Sequence, residues 1–584
     1  MKEDRYQLIL PEADGLELNS RIEEDEDILY IHFHIVKKIK GAFPAMKFKV
    51  VVPSCEIHYL WNPKIHLIKA LNLDWFQGLK KTNGFTGAPV QCLIGRNNEN
   101  RAALAISDTL DTFLYSVVPV EETGEYAFEI EFFTEDAGEQ EEYETTFRLD
   151  LRKINYSEVL RDTSEWWAQY EKNKPAYVPD IAKRPMYSTW YSFHQKVEER
   201  ALLEQCRLAA GYGCKCLLLD DGWQTDDSSR GYAYCGDWEN AMTKIPDMKR
   251  FTEKVHALGM QVAAWYSVPF IGVRSRNFDD FKDMLIDPAG NRGWHVLDPR
   301  YPMVREFIIS TYEQALENWD LDGFKLDFVD EFVVTPFSGK VEDNRRDCRS
   351  FAEAADILMK ECIRRLKARK PNILVEFRQT YNGPLMRSYG NIFRAVDCPF
   401  DDLENHVRVT DIRLLAGESA VHSDMLMWHP DDSPESAALQ LIQVMFSVPQ
   451  ISMRLERLNE KHKKMLKFYL ELWQKYRDVF INGTFEPLNP SCRYNVIRGC
   501  YGNIMACTYH SMEVITIDKQ YDEMVFINGT GKTGLYIQNK MHGRDCCVTI
   551  YNCMGELISD EKTVLAEGIH FFRVPPSGTM IGRT

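Results

Sequence analysis

Apolar and polar positions alternate with a period of two over much of the first 178 residues. The segments "LYIHFHIVKKI" (29–39) and "YAFEIEFFTED" (126–136) show this pattern, which is typical of strands with one buried face. A helical pattern follows only in "SEVLRDTSEWWAQYEKNK" (157–174), ahead of a proline-containing linker. Residues 1–178 are therefore predicted to form an N-terminal β-sandwich with a helical linker.

The rhythm changes over residues 179–478, where short apolar runs alternate with longer amphipathic segments. Eight strands and their intervening helices, within about 290 residues, are typical of a (β/α)8 barrel. A doubly wound open sheet is the alternative, but such a sheet has five or six strands more often than eight. The predicted strands are residues 186–193, 214–223, 261–268, 323–330, 373–380, 392–398, 419–426 and 449–455.

Short strand-like runs return after residue 479, among them "NVIRGCYG" (495–502), "IMACTYH" (504–510) and "GIHFFRV" (568–574). Residues 479–584 are predicted to form a C-terminal antiparallel β-domain. The fold class expected for the chain is thus α/β, with a central (β/α)8 TIM barrel flanked by two β-domains.

Composition and charge narrow the classes of partner. The chain has 584 residues, 45% of them hydrophobic, and a formal net charge of 70 − 87 = −17, which argues against nucleic acid or an anionic membrane. No apolar run approaches the ~18 residues of a membrane span. The fifteen cysteines are scattered without zinc-site spacing, and the start "MKEDRYQLIL" lacks the features of a signal peptide. We expect a cytoplasmic protein with reduced thiols.

Carboxylates follow the predicted barrel strands at the ends where barrel enzymes carry their active sites. The segment "GFKLDFVDEF" (323–332) shows this most clearly, since an apolar run ends there in acids. Acids accept hydrogen bonds from sugar hydroxyls, and indole faces cover the C–H face of a pyranose. The candidate site residues are Trp190, Asp220, Asp221, Trp223, Trp265, Lys325, Asp327, Glu376, Arg378, Arg394 and Asp397.

Glycoside cleavage needs two carboxyl groups, one at the anomeric carbon and one that handles the proton of the leaving oxygen. Asp327 and Asp397 follow strands four and six, so only strand five separates them. Their side chains can therefore face one another. A separation of roughly 5–5.5 Å predicts retention of configuration, and roughly 6.5–9.5 Å predicts inversion. Lys325 points to the same side of its strand as Asp327 and favours the ionised carboxylate.

Several motifs together resemble the α-galactosidases of glycoside hydrolase family 36, in the clan with families 27 and 31. They are "LLLDDGW" (217–223), "GDW" (236–238), "FTEKVHALGMQVAAWYSVP" (251–269), "HVLDPRYPMVREFI" (295–308) and "KLDFVD" (325–330). The resemblance covers roughly residues 185–455. It implies a retaining glycosidase without metal or other cofactor that acts on oligosaccharides or glycosides. It also implies that the chain can form a homo-oligomer.

The resemblance also implies a role for each site residue. Asp327 is the nucleophile and Asp397, in "FRAVD", is the acid/base, with Arg394 nearby. Asp220 and Asp221 hold the 4- and 6-hydroxyls, and Lys325 contacts another ring hydroxyl. Trp190 and Trp265 shape the pocket.

Several points stay open at this stage. Strand five reads "VEFRQTYNG", not the Cys- and Gly-rich segment of many family members. Glu376 and Arg378 therefore leave the sugar undetermined: α-N-acetylgalactosamine, β-L-arabinopyranose and α-glucose are alternatives to galactose. Asp401 competes with Asp397 for the acid/base role. Asp424 and His422 fit a pocket wall or the core equally well. A non-catalytic sugar-binding protein and a metal-dependent barrel hydrolase or lyase are the rivals from other classes.

Overall fold

The structure is a computed structural model. Its description covers all but a few short segments of the chain: residues 5–12, 15–37, 41–64, 66–73, 80–135, 139–288, 290, 292–335, 338, 343–348, 350–378, 381 and 383–584.

Two antiparallel sheets stack face to face in the N-terminal region. One has the strand order β1-β4-β10-β9-β6 and the other β2-β3-β11-β8-β7-β5, and interleaved side chains such as Phe33, Phe48 and Phe147 fill the space between them. The strands are β1 (Gln7–Ile9), β2 (Leu16–Asp25), β3 (Ile28–Lys37), β4 (Met46–Pro53), β5 (Tyr59–Trp61), β6 (Lys80–Thr82), β7 (Val90–Ile94), β8 (Asn100–Ile106), β9 (Phe113–Val120), β10 (Glu125–Phe132) and β11 (Glu142–Asp150).

Eight parallel strands form the central barrel. Their order follows the chain, and the first strand pairs with the last, while the bridges His422↔Val448 and Leu426↔Ile451 join the seventh strand to the eighth. The strands are β12 (Met186–Ser188), β13 (Cys216–Leu219), β14 (Gln261–Ser267), β17 (Gly323–Asp327), β18 (Leu374–Arg378), β19 (Ile392–Arg394), β20 (Ala420–His422) and β21 (Gln450–Ile451). We number these barrel strands one to eight.

Helices connect the barrel strands, and the hairpin of β15 (Phe270–Gly272) and β16 (Trp294–Val296) follows strand three. The α-helices of the described chain are α1 (Tyr156–Ala168), α2 (Trp190–Phe193), α3 (Glu199–Gly211), α4 (Met248–Ala257), α5 (Phe278–Phe281), α6 (Pro302–Trp319), α7 (Phe351–Arg369), α8 (Met386–Tyr389), α9 (Asp402–Arg413), α10 (Pro434–Ile442) and α11 (Glu460–Lys475). A short π-helix follows at Asp478–Asn482.

The C-terminal region has a seven-stranded sheet of order β22-β23-β24-β26-β31-β28-β29 and a three-stranded sheet of order β25-β27-β30. The expected antiparallel pairing holds except at β24–β26 and β25–β27, which run parallel. The strands are β22 (Glu486–Leu488), β23 (Val496–Tyr501), β24 (Ile504–Tyr509), β25 (Val514–Ile517), β26 (Glu523–Asn528), β27 (Leu535–Asn539), β28 (Arg544–Tyr551), β29 (Leu557–Leu565), β30 (Gly568–Phe572) and β31 (Thr579–Arg583).

The predicted fold class is confirmed, but the barrel strands are shorter than predicted. The run at 186–193 is the clearest error, because β12 ends at Ser188 and helix α2 occupies the second half. Periodicity could not separate the two, since a short apolar run fits a buried strand or a buried helical turn equally well. Residues 379 and 380 of the predicted fifth strand lie outside the described residues. The boundaries at 178 and 478 stay predictions.

The three regions meet at a buried carboxylate on helix α9. Asp411 accepts hydrogen bonds from Trp61 and Lys69 of the N-terminal region and from Tyr494 of the C-terminal region. Within the described part of the chain, no helix combines the length and the apolar character that crossing a membrane requires.

Candidate active site

The carboxyl ends of all eight barrel strands lie at one mouth because the strands run parallel. Asp220 and Asp221 directly follow strand two, and Asp327 is the last residue of strand four. Asp397 follows strand six by three residues. The barrel thus brings together, at a single opening, acids that are far apart in the chain.

Asp327 is held at this mouth by donors from three neighbouring segments. Its Oδ2 accepts from Trp265 Nε1 at 3.0 Å, and its Oδ1 accepts from Tyr381 Oη and from the Phe328 backbone N–H, both at 2.9 Å. Arg378 Nε lies 2.6 Å from the same Oδ1. Oδ1 therefore has three donors and Oδ2 has one.

The surroundings of Asp327 keep it ionised although it is buried. Burial by itself raises the pKa of a carboxyl group, but the positive charges of Arg378 and Lys325 and the bonds from Trp265 and Tyr381 outweigh it, so that the pKa of Asp327 is lowered. A lowered pKa leaves the group as a carboxylate at neutral pH, as a nucleophile requires.

The two acids of "DDGW" lie in different environments. Asp220 Oδ2 accepts from Lys325 Nζ at 2.8 Å, so the lysine joins strands two and four. Asp221 accepts from Gln195 Nε2 at 2.7 Å and from Gln224 Nε2 at 2.6 Å. Burial raises the pKa of Asp221 to about 6, against the hydrogen bonds of the two amides.

Arg394, fully buried on strand six, is shared by three carboxylates. Its Nη2 donates to Asp397 Oδ1 at 2.9 Å, its Nη1 donates to Asp424 Oδ1, and its Nε lies 3.5 Å from Glu376 Oε1. Burial opposes ionisation of all three acids, and the arginine favours it. For Asp397 the charges of Arg394 and Lys325 outweigh burial and lower the pKa to about 2, whereas burial prevails and raises the pKa of Asp424 and of Glu376.

Asp401, the competitor for the acid/base role, has a different task. It is the exposed N-cap of α9 and accepts a hydrogen bond from the Glu404 backbone N–H at 2.8 Å. Asp397 has a side chain 41% exposed at the mouth and lies within the field of Lys325 and Arg378, the same cations that act on Asp327. The geometry favours Asp397.

The three predicted tryptophans lie in three different settings. Trp265 bonds to Asp327, and Trp190 is half-buried beside the mouth. Trp223, by contrast, is completely buried: its Nε1 donates to the Trp265 carbonyl at 3.0 Å. It offers no surface to a sugar and instead holds strand three in place, so its predicted direct contact is wrong for this structure.

Other predicted residues divide in the same way. Glu376 and Arg394 are buried in the barrel interior, whereas Arg378 keeps 16% of its side chain exposed. His422 belongs to the core, with its Nε2 bonded to the Ala182 carbonyl at 2.7 Å. Asp424 is also buried, but it belongs to the Arg394 cluster at the site.

Sequence reasoning missed several residues at the mouth. Tyr381 bonds to Asp327, Tyr191 Oη donates to Asp424 Oδ2 at 2.8 Å, and the Tyr232 ring stacks on Trp265. His194 lies where the charges of Asp220 and Asp397 both act on it. Tyr381 follows Arg378 by three residues, so proximity to strand five could have indicated it. The other three had no distinguishing signal.

A fold with carboxylates gathered at one barrel mouth is that of the barrel glycoside hydrolases. The model of the Melibiase family matches residues 155–385. Over 167 residues the chain is 26% identical to "Probable alpha-galactosidase G" of Emericella nidulans, an alignment covering 26% of this chain and 23% of that protein. It is 24% identical over 174 residues to an A type blood alpha-D-galactosamine galactosaminidase of Flavonifractor plautii, covering 26% of this chain and 15% of the other.

Solved structures match almost the whole chain. A family 36 α-galactosidase AgaA variant from Geobacillus stearothermophilus, in complex with raffinose, has a TM-score of 0.66 at 14% identity, covering 99% of this chain and 86% of that one. The α-galactosidase of Lactobacillus brevis has a TM-score of 0.63 at 15% identity, covering 99% and 85%. These matches confirm the predicted resemblance: the chain carries a Melibiase domain within the fold of the family 36 α-galactosidases.

Proposed function

We propose that the protein is a retaining α-glycosidase, specifically an α-galactosidase that hydrolyses terminal non-reducing α-D-galactosyl residues of oligosaccharides. The observation that carries the proposal is Asp327, an ionised carboxylate held by three neighbouring segments at the barrel mouth. The sequence relatives align over less than a quarter of their length, so the activity named for them comes to this chain as a proposal.

Asp327 Oδ2 attacks the anomeric carbon in the first step. It is the attacking oxygen because Oδ1 is occupied by three donors and Oδ2 by Trp265 Nε1 alone. A bond forms between Oδ2 and the anomeric carbon while the bond to the leaving oxygen breaks, and the leaving oxygen takes a proton from Asp397. The result is a covalent glycosyl ester of Asp327.

Asp397 carries the proton in both steps. It is anionic in the free protein because of Arg394, so it must gain a proton when substrate binds. A bound sugar covers the exposed part of its side chain, removes water and thereby raises its pKa. In the second step Asp397 takes a proton from water, the water oxygen attacks the anomeric carbon, and Asp327 leaves as carboxylate.

The remaining polar groups bind the sugar. Asp220 and Asp221 accept hydrogen bonds from ring hydroxyls, and Lys325 Nζ, already 2.8 Å from Asp220, donates to another. Trp265 is positioned by its bond to Asp327, and Trp190 lines the entrance. Raffinose and stachyose are bound by relatives of the same fold, which supports an oligosaccharide as substrate.

The alternative within the same class is a different α-sugar. It is favoured by Arg378, which places a guanidinium against the nucleophile where a neutral galactoside offers no opposite charge. A non-catalytic sugar-binding role is disfavoured because both carboxyl groups of the reaction are present at one mouth.

The test is hydrolysis of 4-nitrophenyl α-D-galactopyranoside by the wild type, Asp327→Asn and Asp401→Asn. We expect Asp327→Asn to lower kcat by at least about 10³-fold, because the amide cannot form the ester. Asp401→Asn is the matched control: it keeps an N-cap and should retain activity within about threefold. Unchanged turnover in Asp327→Asn would overturn the assignment, and proton NMR of the first product should show the α-anomer if configuration is retained.

Location and assembly remain predictions. All fifteen cysteines are free thiols, which supports the cytoplasmic location expected from the sequence. The net charge of −17 supports a partner other than nucleic acid or an anionic membrane. A homo-oligomer is proposed on the family resemblance alone.

A further inference from the structure

Arg378 is fixed at the catalytic centre by contacts on several sides. Its Nε bonds to Asp327 and to Tyr381 Oη, its guanidinium lies 4.9 Å from the centre of the Phe328 ring, and the Tyr381 ring lies 5.8 Å away. Its side chain is still 16% exposed, so the group reaches the open part of the mouth. It is a pre-oriented cation beside the reacting atoms.

The other cations of the site keep their partners throughout the proposed reaction. Lys325 is paired with Asp220, and Arg394 with Asp397 and Asp424. Arg378 differs, because its partner Asp327 becomes a neutral ester when the glycosyl intermediate forms. The charge of Asp330 also acts on Arg378, but the described contacts include no ion pair between the two within 4.0 Å.

The loss of that partner has an energetic consequence. Positive charge develops on the sugar in the oxocarbenium-like transition state, and a nearby guanidinium without a counter-charge raises the energy of that state. Reacting atoms are about 3–3.5 Å apart at the moment of attack, so Arg378, in contact with Asp327, lies close to the ring positions next to the anomeric carbon. An anion on the sugar at that position would pair with Arg378 and cancel the unfavourable charge.

We propose that the substrate sugar carries a sulfate or phosphate ester beside the anomeric carbon and that Arg378 is the residue that selects it. A guanidinium offers parallel N–H groups that match the oxygens of such an ester. The inference rests on the proposed function, since it deepens the substrate class of the same site. It predicts that neutral α-galactosides are poorer substrates of this protein than their 2-O-sulfated or 2-O-phosphorylated counterparts.

The experiment measures binding to the full chain by calorimetry, with D-galactose, its 2-sulfate, its 2-phosphate and D-galacturonic acid. We expect at least one of the two esters to bind about tenfold or more tightly than galactose. Galacturonic acid, which carries its anion at carbon 6, should show no such gain. The better of the two esters identifies the substituent.

Variants separate Arg378 from charge in general. Arg378→Ala should abolish the preference, Arg378→Lys should retain part of it, and Arg230→Ala, which removes an exposed arginine acting on His194, should leave it intact. A preference that survives in Arg378→Ala, or wild type that binds galactose as tightly as both esters, overturns the proposal. Arg378→Lys keeps the positive charge and serves as the readout if Arg378→Ala does not fold.

Hydrolysis of the neutral and 2-O-sulfated nitrophenyl α-galactosides separates this inference from the proposed function. Turnover of the neutral compound with no binding preference for either ester leaves the α-galactosidase assignment standing and ends the inference. A tenfold binding preference without turnover of either compound does the reverse.

Discussion

Arg394 is the residue on which the acids of strands five, six and seven depend. A single buried guanidinium serves Glu376, Asp397 and Asp424, so the three carboxylates compete for one positive charge. Buried like charges raise each other's pKa, and the group that bonds best to the cation stays ionised. The ionisation of Asp397 is therefore set by residues that need not touch the substrate.

Asp424→Asn tests this competition. The substitution removes a negative charge beside Asp397 and leaves Arg394 more available to it, so the pKa of Asp397 should fall further. Asp397 must be protonated to act as the acid, and protonation is lost as pH rises through its pKa. The alkaline limb of the kcat/KM profile should therefore move to lower pH, with a roughly three- to tenfold loss at pH 8.

The result has a clear counterpart. If the alkaline limb does not move, or moves to higher pH, the two acids do not share the charge of Arg394. Tyr191→Phe is the matched control, since it removes only the hydrogen bond to Asp424 and changes no charge in this cluster.

At the scale of the element, strand β17 depends on close approach to β18. Gly323 begins β17 opposite Leu374, and a methyl group at position 323 would lie 2.6 Å from the Leu374 side chain and from its carbonyl oxygen. The same pairing aligns Lys325 with Glu376 and places Asp327 at the mouth. The glycine thus fixes the register that positions the nucleophile.

Gly323→Ala should lower the free energy of unfolding by about 1–3 kcal/mol, because the strands must separate to admit the methyl group. Activity should fall with it, since Asp327 moves with the strand. Gly211→Ala is the matched control: nothing lies within 4 Å of the added methyl at the end of α3. That variant should be neutral or stabilised by up to about 1 kcal/mol. Equal unfolding transitions for the two variants would contradict the close-packing argument.

Across the whole molecule, the buried ion pair of Asp411 and Lys69 joins the three regions. Both Asp411 oxygens lie 2.9 Å from Lys69 Nζ, and Trp61 and Tyr494 complete the coordination. The flanking regions also reach the site loops: the Phe85 ring stacks on Tyr389, beyond the segment that carries Tyr381. The barrel is therefore braced from both sides.

Asp411→Asn should destabilise the protein by about 3–5 kcal/mol at pH 7, because it leaves Lys69 buried without its counter-charge. Burial raises the pKa of Asp411, but Lys69 and His66 outweigh it, so the folded pKa is below the unfolded one. The stabilisation is then present above the unfolded pKa and is lost as pH falls through the folded pKa. Urea unfolding at pH 7 measures the difference, with the exposed Asp431→Asn as control.

A loss of less than about 1 kcal/mol in Asp411→Asn would mean that the regions are held by apolar contact instead.

The sequence by itself determined the order and number of the barrel strands. Alternation with a period of two, and short apolar runs separated by amphipathic helices, reflect which side of each element is buried, a property of neighbouring residues. It also placed acids at the strand ends, because a run that stops being apolar marks where the chain leaves the core. Helices α3, α6 and α7 agree with the predicted segments to within two residues at each end.

Only the tertiary structure decided how the charges pair. Lys325 meets Asp220 across 105 positions of the chain, and Tyr381 meets Asp327 across 54. It also buried Trp223, gave Asp401 to a helix cap and set Arg378 against the nucleophile. Such pairings depend on closure of the barrel, which brings together the ends of strands distant in sequence. No local pattern encodes that distance, because the free energy of each pair exists only once the intervening chain has folded.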